Sequence, residues 1–251
     1  MATDGLPRWG IFGGAFDPPH LGHLAGAAVA LAAGQLDKLL VVPTFAHPFG
    51  KQMAPWPDRL AMTRLAFAPL CRVEVSEIEA ALPRPSLTLG TVEALRAAHP
   101  NVRWFLVVGS DTLQERSSWH RFDDIVGRAE LLVIGRQGHE RGAYAFTRGG
   151  PPGRTPSEKP RVAPGAAAAS PPDPPRIVSG KALDDAPLAP QHRRQGVNGY
   201  LGAIDFALPD VSSSAIRRAL ADGDDLHGWL DPAVERYVRE RRLYGTGAGK
   251  T

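Results

Sequence analysis

Short apolar runs alternate with longer helix-forming stretches through the first 137 residues, and this alternation limits the fold more than any other feature. Trp9 to Phe12, Lys38 to Pro43, Val73 to Ser76, Trp104 to Val108 and Leu131 to Ile134 each have the length of a strand. Pro43 stops the second of them, because proline cannot donate to a ladder. Between them lie Leu21 to Gly34, Asp58 to Ala68, Thr88 to His99 and Phe122 to Ala129, all with helical character. Pro57 opens the second of these, where its missing N–H costs nothing. A last strand, Ala203 to Leu208, precedes two helices, Ser214 to Ala221 and Pro232 to Arg241. Strands and helices taken in turn predict an α/β fold, a mostly parallel sheet with helices on both faces. Such a sheet binds ligands at the carboxyl ends of its strands.

The pattern breaks at about Gly138 and resumes after Gly199. That stretch holds Pro151-Pro152, Pro171-Pro172, Pro174-Pro175 and the run Ala166 to Ala169, with few large apolar residues. It offers too little apolar surface to offset its ordering entropy. The expectation is a single domain, residues 1–251, carrying a flexible insertion at about 138–199. One short ordered piece is expected at Arg176-Ile177-Val178, and a helical C-terminal part at about 212–244. Elsewhere the composition supports a core, with 43% apolar and 22% charged residues. The net charge of +3 is too mild to argue for nucleic acid and suits small phosphorylated ligands. The lone Cys71 excludes an intrachain disulfide and a structural zinc site. Neither a signal-peptide pattern nor an apolar run of roughly 18 residues is visible. A cytoplasmic protein with no membrane partner is expected, and homo-oligomerisation is left open.

Two turns carry the chemistry. Gly13 and Gly14 follow the first strand and let the backbone approach a ligand closely. The next helix offers unpaired N–H groups and the positive end of its dipole, which suits phosphate. His20 and His23, three residues apart at its start, share a face and can donate to phosphate oxygens as charge builds. The alternative is a Gly/Pro turn with two incidental histidines. The second turn, Val211-Ser212-Ser213-Ser214-Ala215-Ile216-Arg217, also lies between a strand and a helix. Its serines can cap that helix and, with its N–H groups, hold phosphate. Arg217 adds a permanent charge with fork geometry. Taken alone, that turn is equally an ordinary helix cap.

Residues 13–24, GGAFDPPHLGHL, resemble the GxFDPxHxGH motif of the bacterial nicotinate-mononucleotide adenylyltransferases, in the HxGH nucleotidyltransferase superfamily. Val211 to Arg217 resembles the ISSTxIR signature of the same superfamily. Phe105 to Asp111 is similar to the family's FxxGxD stretch and Trp119 to Phe122 to its W-x-x-[WF] continuation. Ser86 to Thr91 is similar to SYTxxT, with Leu87 in place of tyrosine, and Leu230 to Tyr244 resembles the tail. The resemblance covers about residues 9–137 and 203–244.

The resemblance implies a Rossmann-like sheet of the nucleotidyltransferase type. It also implies an activity in NAD biosynthesis: transfer of AMP from ATP, with Mg²⁺, to nicotinate or nicotinamide mononucleotide. It assigns His20 and His23 to the transferring phosphoryl group, and Ser212, Ser213 and Arg217 to the β- and γ-phosphates. Gly13, Gly14, Phe16, Gly109, Asp111 and Ser214 would complete the ATP site. Trp119 would stack on the pyridine ring, the alternative being core packing. Thr88 would meet the pyridine nucleotide, although Ser86 or Thr88 could instead cap a helix.

Where the family has PPHK, this chain has Ala46-His47-Pro48-Phe49-Gly50-Lys51. Lys51 is the candidate phosphate-binding lysine, with His47 beside it; the alternative is a solvated loop lysine. Arg136-Gln137-Gly138 resembles the family's RPG turn without its proline. The rivals are another HxGH transferase, acting on phosphopantetheine or using CTP, and a non-catalytic nucleotide sensor. A dehydrogenase is disfavoured because the first turn lacks G-x-G-x-x-G spacing.

Overall fold

The computed structural model describes residues 5–114, 116–136, 200–208 and 211–246. Six strands, β1 (Arg8–Gly14), β2 (Lys38–Pro43), β3 (Val73–Val75), β4 (Arg103–Gly109), β5 (Glu130–Arg136) and β6 (Tyr200–Leu208), form one sheet in the order β3-β2-β1-β4-β5-β6. Every pairing is parallel, so the expectation of a mostly parallel sheet holds in full. The helices are α1 (Leu21–Ala33), α2 (Trp56–Phe67), α3 (Thr88–Ala98), α4 (Ser110–Gln114), α5 (Phe122–Val126), α6 (Ser213–Asp222) and α7 (Pro232–Glu240). The expected insertion, with its short piece at 176–178, lies outside the described residues. Among those residues no helix is long and apolar enough to cross a membrane.

Successive strand residues point to opposite faces, so a strand covered on both sides must be apolar throughout. Leu39 and Val41, Phe105 and Val107, and Leu132 and Ile134 join one core, under α1, α2, α6 and α7. Leu40 and Val42, Leu106 and Val108, and Leu131 and Val133 join the other, with α3 and α5. Small residues on α1, Gly22, Gly26, Ala27 and Ala30, bury its inner face and let it lie close to the sheet.

Strand order reverses between β1 and β4, which pair at Ile11↔Leu106. Connections leave these strands toward opposite sides, and a crevice opens beyond their carboxyl ends. Into it run the turn after β1 and the short helix α4, which follows β4 without a break. Short elements escape sequence reasoning: α4, and 3-10 turns at Ile78–Ala81, Arg116–Ser118 and Leu243–Gly245. Each is too brief to show an apolar period.

Candidate functional site

A cleft of about 500 Å³ occupies this crevice. Gly13, Gly14, His20 and His23 line it from β1 and α1, Gly109 from β4, and Trp119 from the segment before α5. Thr44, Glu79, Ser86, Thr88 and Thr91 make a polar wall, and His47, Pro48 and Phe49 come from the loop after β2. Seven residues expected at the site, Gly13, Gly14, His20, His23, Thr88, Gly109 and Trp119, thus share one cavity.

The two histidines are tightly organised. His20 stands at the N-cap of α1 with extended backbone and is buried. Its N–H donates to Nδ1 of His23 at 3.2 Å, and the two rings lie 3.8 Å apart. A neutral imidazole that accepts at Nδ1 carries its proton on Nε2. His23 is thereby fixed as the tautomer that can donate from Nε2. Gly22 makes the pairing feasible: a methyl group there would sit 3.1 Å from the His20 ring and 3.2 Å from Val211.

The two glycines of the turn differ in their reasons. A methyl group on Gly13 would meet nothing within 4 Å, so only open cleft lies beyond it. One on Gly14 would meet the Phe16 ring at 3.0 Å. Phe16, expected to meet ATP, is instead core: it is 1% exposed and packs against His23, Phe12 and Phe67 with centroid distances of 5.0, 5.8 and 5.7 Å. Its side chain supports the histidine rather than facing the cleft.

The second turn docks on the first. Ser212 caps α6 by accepting from the Ala215 N–H at 3.2 Å. Ser213 donates to the Pro18 carbonyl at 3.0 Å. Arg217 donates to the Asp17 carbonyl at 2.7 Å and to Ser214 Oγ at 3.2 Å. These residues flank the cleft without lining it, and the α6 N-terminus is presented beside the histidine pair. The side chain of Asp111 is outside the described set; its backbone belongs to the start of α4.

Lys51 is exposed and does not line the cleft. The loop turns back at His47–Gly50, where the Gly50 N–H donates to the His47 carbonyl at 3.1 Å and Gly50 has φ +65°. Lys51 follows that turn, and His47 is the loop's basic group at the cavity. Burial, then the charges of Lys51 and Arg59, lower the His47 pKa below its ordinary value. Neither Ser86 nor Thr88 caps α3: the N-cap is Leu87, with no side-chain bond. Ser86 instead accepts from the Ala46 N–H at 3.1 Å and fastens the loop. Trp119 is half-buried against Phe122 at 5.9 Å, so packing and cleft lining coexist.

Sequence reasoning passed over Glu79. Buried to 8% exposure, it accepts from the Phe45 N–H and the Thr91 hydroxyl, both at 3.0 Å, and so ties the loop to α3. A single acid in Ile78-Glu79-Ala80-Ala81 gives no signal beyond its apolar neighbours. Asp17 and Tyr244 lie within the motif-like segments, where nothing in the sequence signals a role for either. They meet through a hydrogen bond of 2.7 Å.

The cytidylyltransferase-like family model matches residues 11–219. A relative from Anaeromyxobacter dehalogenans named "Probable nicotinate-nucleotide adenylyltransferase" is 36% identical over 237 residues, 93% of this chain and 95% of its own. Another of that name, from Shewanella putrefaciens, is 30% identical over 239 residues, 94% of this chain and 99% of its own. Among solved structures, Plasmodium falciparum nicotinic acid mononucleotide adenylyltransferase complexed with NaAD is similar in fold, with a TM-score of 0.61. That match has 14% identity and covers 97% of this chain and 100% of the other.

Proposed function

The chain belongs to the cytidylyltransferase-like family, and on that premise we propose that it transfers AMP from ATP to nicotinate mononucleotide, making the dinucleotide and pyrophosphate for NAD biosynthesis. The observation that carries the reading is the shared cavity. An ordered histidine pair, an aromatic face, a polar wall and bare backbone at Gly13 all line it. The names of the full-length relatives support the same acceptor. The cytoplasm is its expected location.

In the proposed reaction a 5′-phosphate oxygen of the mononucleotide attacks the α-phosphorus of ATP. The bond from that phosphorus to the bridging oxygen breaks, and pyrophosphate leaves. No protein nucleophile is needed, so the chain contributes position and charge. His23, its Nδ1 already accepting, would donate from Nε2 to the transferring phosphoryl group, with His20 beside it. Arg217, Ser212, Ser213 and the α6 N-terminus would hold the β- and γ-phosphates. Trp119 would cover the pyridine ring, and Thr88 would meet its nucleotide. ATP is taken as its Mg²⁺ complex, the ion held by phosphate oxygens and water. Among the described residues no group of three His, Cys, Asp or Glu is placed to hold a metal ion.

The test is a pyrophosphate-release assay with ATP, offering nicotinate mononucleotide, nicotinamide mononucleotide and phosphopantetheine in parallel. Nicotinate mononucleotide should be the best acceptor; turnover confined to phosphopantetheine would overturn the reading. Removing one oriented donor costs about a hundredfold in rate or more. His23→Ala should show that loss while remaining folded, and near-normal turnover would remove His23 from the mechanism.

A further inference from the structure

Asp17 lies where the beginning and the end of the described chain meet, and its contacts divide by oxygen. Oδ1 accepts from the Tyr244 hydroxyl at 2.7 Å and from the Ala54 N–H at 3.2 Å. Oδ2 faces Arg217 at 3.6 Å. The Asp17 side chain is buried, whereas that of Arg217 keeps 26% exposure. A guanidinium and a carboxylate free to turn toward each other form two parallel short bonds. Here they do not. Two donors hold Oδ1, and Oδ2 stays in an ion pair with Arg217 at 3.6 Å, longer than a hydrogen bond. The hydrogen bonds of the guanidinium go instead to neutral acceptors, the Asp17 carbonyl and Ser214 Oγ.

We propose that Tyr244 is a positioning residue: by holding Oδ1 of Asp17 it prevents that carboxylate from capturing Arg217, which stays available to the triphosphate. The inference rests on the reading of Arg217 as a phosphate-binding residue. Tyr244 itself lies outside the cleft lining. It reaches Asp17 from the C-terminal turn Leu243–Gly245, where Arg242 and Tyr244 adopt φ of +52° and +56°. Residues with side chains seldom take that backbone, so it persists only where surrounding contacts hold it. Thr246 helps, donating to the Leu243 carbonyl at 2.8 Å. Burial, reinforced by the bond to Asp17, raises the Tyr244 pKa, so the hydroxyl keeps its proton at neutral pH.

The experiment measures binding of an ATP analogue with a methylene between the α- and β-phosphorus, by calorimetry on the full chain. Tyr244→Phe keeps the ring and removes only the donor. It should weaken the analogue roughly tenfold, the size expected for a hydrogen bond to a charged group. Affinity for nicotinate mononucleotide should not change, and in turnover the effect should fall on KM for ATP rather than on kcat. Capture of Arg217 requires the negative charge of Asp17, so Asp17→Asn should erase the Tyr244→Phe penalty. In an Arg217→Ala background Tyr244→Phe should have no further effect. Tyr237→Phe removes the tail's other hydroxyl anchor, at 2.9 Å from Asp58, and should leave analogue affinity intact.

Unchanged affinity in folded Tyr244→Phe, an equal loss in Tyr237→Phe, or an additive loss in the Arg217→Ala background would each overturn the proposal. If Tyr244→Phe does not fold, the Tyr244→Phe/Asp17→Asn double variant decides: wild-type analogue affinity supports the proposal and a tenfold loss refutes it. The adenylyl-transfer reading fails separately, when wild-type protein binds the analogue and releases no pyrophosphate with either pyridine mononucleotide.

Discussion

A methyl group at Gly13 would touch nothing, whereas one at Gly22 would press on the His20 ring and Val211. The two positions therefore separate binding from folding. Gly13→Ala should change stability by no more than about 0.5 kcal/mol, as at sites free of packing, yet should sharply reduce ATP binding by filling the cleft floor. Gly22→Ala should cost about 1–3 kcal/mol through overpacking and should lower turnover by displacing His20. Thermal melts and calorimetry on the pair would check this; equal effects at both positions would contradict it. The first turn was legible as a motif, but the division of labour within it was not. Phe16 and Gly14 serve each other's packing, and only coordinates show which side of β1 faces the cleft. Lys51 lies off the cleft lining for a related reason, because the turn closed at Gly50 sets the path of the chain in a way that side-chain chemistry does not encode.

At the scale of elements, the strands and helices were readable wherever an apolar period ran long enough, and boundaries moved by only a few residues. What could not be read was which elements the polar side chains connect. Tyr237 and Arg241 on and beside α7 bind Asp58 at the start of α2, at 2.9 and 3.1 Å. Arg59, the next residue of α2, is buried and donates to the Ala15 and Ala54 carbonyls at 2.9 and 3.0 Å. The C-terminal elements thus grip the first turn both through α2 and through Tyr244. One consequence is a pH signature. The Tyr244 pKa is raised above its ordinary value of 10.0, so its share of the stability is complete below that value and is lost as pH rises through the folded-state value. Denaturant melts from pH 8 upward should show an alkaline decline that is shallower in Tyr244→Phe. An identical decline in both proteins would show that Tyr244 is not its source.

For the whole molecule, ligands that bind only the folded form must stabilise it. Nicotinate mononucleotide at a hundred times its Kd should add about 2.7 kcal/mol, a rise in Tm of roughly 5–10 °C for a chain of this size. Phosphopantetheine at the same concentration should produce no shift; the reverse ranking would point to a different acceptor. The parallel sheet and its binding edge were legible because strands buried on both faces must be apolar throughout. The acceptor was legible only through resemblance, since a pyridine nucleotide leaves its trace in the placement of Trp119 and Thr88, not in their identities. The pairing of β5 with β6 carries one more consequence. The ladder from Leu131↔Tyr200 to Arg136↔Leu208 fixes the two strand ends that the connection joins, and by loop-closure entropy a connection between fixed ends costs only about 0.6 kcal/mol more for each doubling of its length. Evolution can therefore lengthen or shorten this join at small thermodynamic expense while His20 and Arg217 stay in place. Lineages of this family are expected to differ in size chiefly here, which makes the join a natural place for new traits to be tried without risk to an old reaction.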